Sequence, residues 1–179
     1  MSCPFPEQIE TKRLLLRRPR ADDARAIFES YAQDPLVCKY MIWSAHRDLA
    51  ETQDFVALCM QAWESGSRLA YVLATADSGN AVGMLEARIQ ATSVDLGYVL
   101  ARALWGRGLM PEAIDAAAAA ALACPQFYRV QATCDATNAA SARALEKAGF
   151  AREGCLERYT VHPNLSPEPR SCFMYARVR

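Results

Sequence analysis

The sequence predicts a single α/β domain in the α+β sense, a mixed and mostly antiparallel twisted sheet flanked by helices. Three observations predict it. A chain of 179 residues, 52% of them hydrophobic, is long enough to bury one sizeable core and short enough to need only one. Short runs rich in Val, Leu and Tyr alternate with stretches whose apolar residues recur at helical spacing. In the second half a strand, an alanine-rich helix and another strand follow in order, which requires a crossover and makes the two strands parallel neighbours. One domain over residues 1–179 is expected.

Taken in order, KRLLLRRP (Lys12 to Pro19) is a short apolar run between arginines and reads as a strand, and ADDARAIFESYAQDP after it as a helix. Between Asp48 and Ser65, Leu49, Phe55, Val56, Cys59, Met60 and Trp63 recur on one helical face until Gly66 stops the pattern. RLAYVLATA (Arg68 to Ala76), a DSGN turn and AVGMLEARIQ (Ala81 to Gln90) form a hairpin, and VDLGYVLA (Val94 to Ala101) adds a strand. A helix beginning near Pro111 and carrying the alanine run Ala116 to Ala121 follows, then a strand in FYRVQATCD, a helix in NAASARALEKAG, and two strands around HPNLSPEP.

Composition excludes several function classes. Lys plus Arg and Asp plus Glu both total 20, so no global field draws the chain to nucleic acid or to an acidic membrane. Seven cysteines, at 3, 38, 59, 124, 134, 155 and 172, show no C-x-x-C spacing, and there are only two histidines. Reduced thiols and no metal site are expected. No basic-then-apolar leader and no long apolar span is visible, so a cytoplasmic protein is expected, as monomer or homodimer.

The stretch WGRGLMPEAIDAAAAAALA, Trp105 to Ala123, places two glycines and a proline before a run of strong helix formers. A strand end, a glycine loop and a helix start together present unpaired backbone amides at the positive end of a helix dipole. That is a cradle for a pyrophosphate. Gly106 and Gly108 let the backbone approach the oxygens, and Arg102 and Arg107 are positioned to add cationic contacts. Downstream, TNAASARALEKAGFAREG sets Asn138 and Ser141 at a helix start and Gly149-Phe150 at its end.

With these motifs the chain resembles the GCN5-related N-acetyltransferase (GNAT) family, and within it the subgroup resembling ribosomal-protein N-terminal acetyltransferases. Trp105 to Ala113 resembles that subgroup's W-G-x-G-x-x-x-E-A loop, and Asn138, Ser141, Gly149 and Phe150 match its downstream motif. TKRLLLRR resembles its first strand, and YMIWSAHRDLAETQDFV its substrate-side segment. The resemblance implies a splay between the parallel central strands, with the pantetheine arm of acetyl-CoA pairing with backbone of Val99, Leu100 and Ala101. It implies that the pyrophosphate meets amides of Gly106, Arg107, Gly108, Leu109 and Met110, and that Asn138 and Ser141 also contact the cofactor. A free amide near Leu100 is the implied oxyanion donor.

An amine must lose a proton before it attacks a thioester, so a base is required. Asp95 and Glu86 are the candidates, and strand alternation decides which faces the cleft. The family's usual tyrosine acid falls at Leu145, which leaves Ser141 as a candidate acid, with Tyr98 and Tyr159 behind it. Trp43 and His46 are the candidate substrate contacts. The resemblance therefore implies acetyl transfer from acetyl-CoA to a primary amine, such as a protein N-terminus. The alternatives are a small amine acceptor (a polyamine, amino acid or antibiotic) and an acetyl-CoA-binding sensor without catalysis.

Overall fold

A computed structural model describes residues 5–66 and 68–179. Its strands are β1 (Gln8–Glu10), β2 (Leu14–Arg17), β3 (Arg68–Thr75), β4 (Ala81–Ile89), β5 (Ser93–Leu100), β6 (Arg129–Asp135), β7 (Ala151–Val161) and β8 (Pro169–Val178). They form one sheet in the order β1-β2-β3-β4-β5-β6-β8-β7. All neighbours are antiparallel except β5 and β6. That parallel pair is the one required by the crossover. β1 is too short to show an alternation and was not expected.

The helices are α1 (Asp23–Ile27), which widens into a π-helical turn at Phe28–Ala32, α2 (Pro35–Cys38), α3 (Leu49–Ser65), α4 (Leu109–Ala123) and α5 (Ala139–Lys147). α3 begins where Asp48 accepts a hydrogen bond from Glu51 N at 3.0 Å and ends at Gly66, the limits its sequence pattern predicts. α4 begins two residues before the expected start, at Leu109, because Gly108 rather than a side chain turns the backbone into it.

The two faces of the sheet carry separate cores. α4 and α5 pack on one face, where Ala113, Ala117, Ala118 and Ala121 are fully buried with Leu85, Leu96 and Val130. Small side chains let α4 lie close to its strands. α1 and α3 cover the other face through Ile27, Tyr31 and Val56 over Ala70, Val72 and Met84. Between the end of β2 and the start of α1, Arg17 and Asp23 form a buried bidentate pair, with Nη2 to Oδ1 at 2.6 Å and Nη1 to Oδ2 at 2.9 Å. Among the described residues no helix is long and apolar enough to cross a membrane. Six cysteines in those residues are unbridged, and Cys3 lies outside them.

The central parallel pair is short. β5 and β6 pair only at Ser93, Val94 and Asp95 against Arg129, Val130 and Gln131. Beyond that point β5 stays with β4 as far as Leu100, opposite Gly83, and β6 stays with β8 as far as Asp135, opposite Cys172. The two strands therefore splay, as expected.

Gly83 is where this half of the split is built most tightly, because a Cβ there would lie 2.5 Å from Val99 O. Backbone must move to admit it. Gly83→Ala is expected to lower unfolding free energy by about 1–3 kcal/mol. Gly97→Ala meets only the guanidinium of Arg88, at 3.1 Å, a side-chain group rather than backbone, and is expected to cost less. Urea unfolding of both variants against the parent measures the difference.

Candidate active site

The glycine loop is held from outside. Arg13, next to β2, donates from Nη1 to Arg107 O (2.7 Å) and from Nη2 to Gly108 O (3.1 Å). Its Nε donates to Glu112 Oε2 (2.7 Å), while Thr11 Oγ1 and Arg13 N both donate to Glu112 Oε1 (2.6 and 2.8 Å). Burial alone would raise the Glu112 pKa, but these bonds outweigh it and hold the carboxylate ionised. Gly106 and Gly108 both sit at φ 75°, in the left-handed region, and Gly108 caps α4 without any side-chain bond to its first amides. Those amides are the unpaired donors the sequence predicts.

A cavity of about 500 Å³ runs from this loop to the split between the strands. Val99, Leu100, Gly106 and Gly108 line it, with Leu109, Met110, Asn138 and Ser141. Lys39, Arg143 and Lys147 bring positive charge to its walls, and sequence reasoning missed all three because no local motif marks them. Ala101, Arg102 and Arg107 are not among its lining residues; the Arg102 guanidinium instead donates to Asp34 at 2.7 Å. Ala101 N donates to Val82 O, so alternation along β5 turns the amides of Leu100 and Tyr98 toward the split. Trp105 Nε1 closes over Leu100 O at 2.8 Å.

A second cavity, of about 470 Å³, lies on the sheet face under α1–α3. It shares Tyr40, Met41, Tyr98, Val99, Asn138 and Ser141 with the first, so the two meet at the split. There Tyr98 Oη and Ser141 Oγ are 2.8 Å apart, joining β5 to the start of α5. Burial pushes the Tyr98 phenol far above its ordinary pKa, and the Ser141 bond offsets only part of that. Tyr98 is a protonated donor at neutral pH. Leu145, by contrast, is wholly buried in the α4–α5 core and lines neither cavity.

Glu86 and Asp95 both face the second cavity. Register explains it: Arg88 is opposite Asp95, and Glu86 is opposite Gly97, which leaves room for the Arg88 guanidinium to lie across β5. Glu86 accepts from Arg68 Nε (2.8 Å) on one oxygen and from Arg88 Nη1 (2.9 Å) on the other. Arg88 Nε and Nη2 both reach Asp95 Oδ2, at 2.9 and 2.6 Å. The ladder has matched charges.

Trp43 and His46 also line this cavity, their rings tilted with centroids 5.3 Å apart, and His46 meets the Phe55 ring edge-on at 5.9 Å. His46 Nδ1 lies 2.7 Å from Thr52 Oγ1, and burial lowers its pKa against the opposing pull of Glu51 and Asp48. Asn164, in the turn between β7 and β8, donates to Cys38 O (2.7 Å) and Trp43 O (2.8 Å) and ties this segment down.

The turn that delivers Asn138 and Ser141 is held by Asp135, whose side chain is fully buried. Thr137 N and Oγ1 donate to its Oδ1 at 2.9 and 2.6 Å, and Arg170 Nε donates to Oδ2 at 2.6 Å. Asn138 Oδ1 in turn accepts from Ser141 N at 3.2 Å. Burial would raise the Asp135 pKa, but the bonds from Arg170 and Thr137 outweigh it and hold it at about 2.

Residues 13–151 match the model of the acetyltransferase (GNAT) domain. The chain is 24% identical over 156 residues, 86% of its length and 87% of the other's, to the uncharacterized N-acetyltransferase p20 of Bacillus licheniformis. It superposes on the microcin self-immunity acetyltransferase MccE, solved with acetyl-CoA and AMP, with a TM-score of 0.87 at 18% identity, covering 100% of both chains. It also superposes on RimL, a ribosomal-protein α-N-acetyltransferase solved with coenzyme A, with a TM-score of 0.84 at 20% identity over 96% of this chain and 98% of that one.

Asp135 stabilises the fold at every pH above the value near 3.8 at which the unfolded carboxyl titrates, and the contribution is lost as pH falls toward about 2. It amounts to about 2 kcal/mol. Arg170→Gln is expected to remove up to that amount at pH 7, with the gap from the parent narrowing between pH 4 and pH 2. Denaturant unfolding across that range checks both the size and the sign.

Proposed function

We propose, for a chain that belongs to the acetyltransferase (GNAT) family, the direct transfer of an acetyl group from acetyl-CoA to a primary amine. The observation that carries the proposal is the meeting of two cavities at the Tyr98–Ser141 pair, inside the split of the sheet. MccE and RimL, similar in fold and solved with acetyl-CoA and coenzyme A, support a cofactor of that kind for this chain, and the first cavity is the side that suits it. Its shape fits: a loop with bare backbone at Gly106 and Gly108, a helix start without a side-chain cap and nearby lysine and arginine residues suit a pyrophosphate. When bound there, acetyl-CoA supplies the activated acetyl thioester.

The chain's own groups would then act in turn. The amides at Leu109 and Met110 hold phosphate oxygens, and the Leu100 amide, turned into the split, donates to the acetyl oxygen as negative charge develops on it. Asp95 is the better candidate base: Arg88 occupies only its Oδ2, whereas both oxygens of Glu86 accept from arginines. Its Oδ1 is left to take the amine's proton, directly or through water. Ser141, backed by the protonated Tyr98, relays a proton to the departing sulfur and is re-protonated, through water, by the proton the amine released to Asp95, so that neither an alkoxide nor a phenolate remains. A donor pair at the junction supports catalysis over a sensor that only binds acetyl-CoA.

Thiol release from acetyl-CoA in the presence of amines tests the reaction. Ser141→Ala and Tyr98→Phe are each expected to lower kcat by at least ~10-fold with acetyl-CoA affinity retained, and Asp95→Asn to lower kcat/KM by ~10²-fold. Unchanged turnover in all three would remove these groups from the chemistry.

The loop is tested by charge alone. Asp and Asn both tolerate the left-handed backbone of position 108, and Asp there favours the helix. Gly108→Asp is therefore expected to bind acetyl-CoA at least ~10-fold more weakly than Gly108→Asn while being no less stable. Calorimetric titration and thermal unfolding of the two variants decide it.

A further inference from the structure

The acceptor cavity has three kinds of wall, and together they define what fits. Its floor is the Arg68–Glu86–Arg88–Asp95 ladder, in which two cations face two anions, so no spare positive charge awaits an acidic group and no surplus of carboxylates awaits a polycation. Its side is apolar, formed by Ile27, Phe55 and Met84, and the rings of Trp43 and His46 continue it. Its roof is tied at several points: Asn164 to Cys38 O and Trp43 O, His46 N to Ala32 O at 2.9 Å, and Tyr40 Oη to Thr137 O at 3.4 Å. A volume of about 470 Å³ under a tied roof is the size of a small-molecule site.

Two polar atoms in this wall lack a hydrogen-bond partner, Tyr31 Oη and His162 Nδ1, and Tyr31 is the one packed into the apolar side with Ile27, Phe55 and Met84. Tyr31, on the π-helical turn after α1, lines the cavity with 1% of its surface exposed, and its hydroxyl has no hydrogen-bond partner. Buried hydroxyls are normally satisfied, because leaving one unpaired costs stability. Burial also keeps this phenol protonated, so it remains a donor.

We infer that the acceptor is a compact primary amine on an apolar, ring-bearing body with a hydrogen-bonding group at its other end, and that the Tyr31 hydroxyl recognises that group. The inference rests on the acetyl-transfer reading for the amine's fate, but binding can be read without it. The ring lies against the Trp43–His46–Phe55 wall, and the amine points to the split.

The test measures binding and turnover side by side. Tyramine, phenethylamine, spermidine and a tetrapeptide with a free N-terminal serine are titrated by calorimetry into the protein, with and without coenzyme A. The two ring amines are expected to bind at least ~10-fold tighter than spermidine or the peptide. Tyr31→Phe is expected to weaken tyramine by ~10-fold and phenethylamine by less than ~3-fold, with the melting temperature unchanged or raised, because the hydroxyl has no protein partner to lose. Equal loss for both ring amines, no loss for tyramine, or spermidine or peptide binding as tightly as the ring amines would overturn the inference. Ring-amine binding without thiol release counts against the acetyl-transfer reading and leaves the inference standing. Turnover of the peptide or of spermidine with no ring-amine binding does the reverse.

Discussion

The structure depends on one departure from regular pairing, the separation of β5 from β6 after Asp95 and Gln131. A parallel pair inside a sheet ordinarily satisfies every backbone group on its facing edges. Here the pairing stops, and each strand keeps only its outer partner, β4 for β5 and β8 for β6. Inward-facing amides on β5 are left without a strand partner, as at the open edge of a sheet. α4 covers the crossover, and its buried alanines keep it near the strands, so its amino end opens on the same split. One gap thus brings unsatisfied strand amides, an uncapped helix start and the base of α5 to a single place.

Charge at the site is organised as local pairs around that gap. Arg13 with Glu112 holds the loop, Arg170 with Asp135 holds the turn before α5, and Arg88 spans Glu86 and Asp95 on the face under α1–α3. Each pair uses the planar donor fork of arginine, which orients a carboxylate as well as neutralising it. This is why a chain with zero formal net charge can still present lysines, an arginine and free helix amides on one side of the split and carboxylates on the other. The separation of sign is spatial, over short distances, and leaves little trace in composition.

Legibility differed by element for physical reasons. α3 is readable to the residue because Asp48 and Gly66 are local stop signals around a strong apolar period. β1 and α2 are too short to carry a period, and their existence is owed to β2 and to the Asp34 cap. The placement of Arg102 beside Asp34 could not be read from the loop motif, because the partner is 68 residues away. Tyr98 and Ser141, 43 residues apart, could each be named as candidates but not joined.

What the sequence by itself determined is what short-range physics controls: the alternation of strands and helices, the parallel pair forced by a crossover, and the glycine turn into a helix whose first amides are free. The family motifs at Trp105–Ala113 and Asn138–Phe150 belong to the same class, since each is a contiguous run with a local backbone consequence. Only the tertiary structure decided that Glu86 and Asp95 share one face with Arg68 and Arg88, that Arg13 reaches the loop from beside another strand, and that Ser141 meets Tyr98. Those outcomes hang on strand register and on contacts between distant segments, where a shift of one residue would turn each side chain to the opposite face.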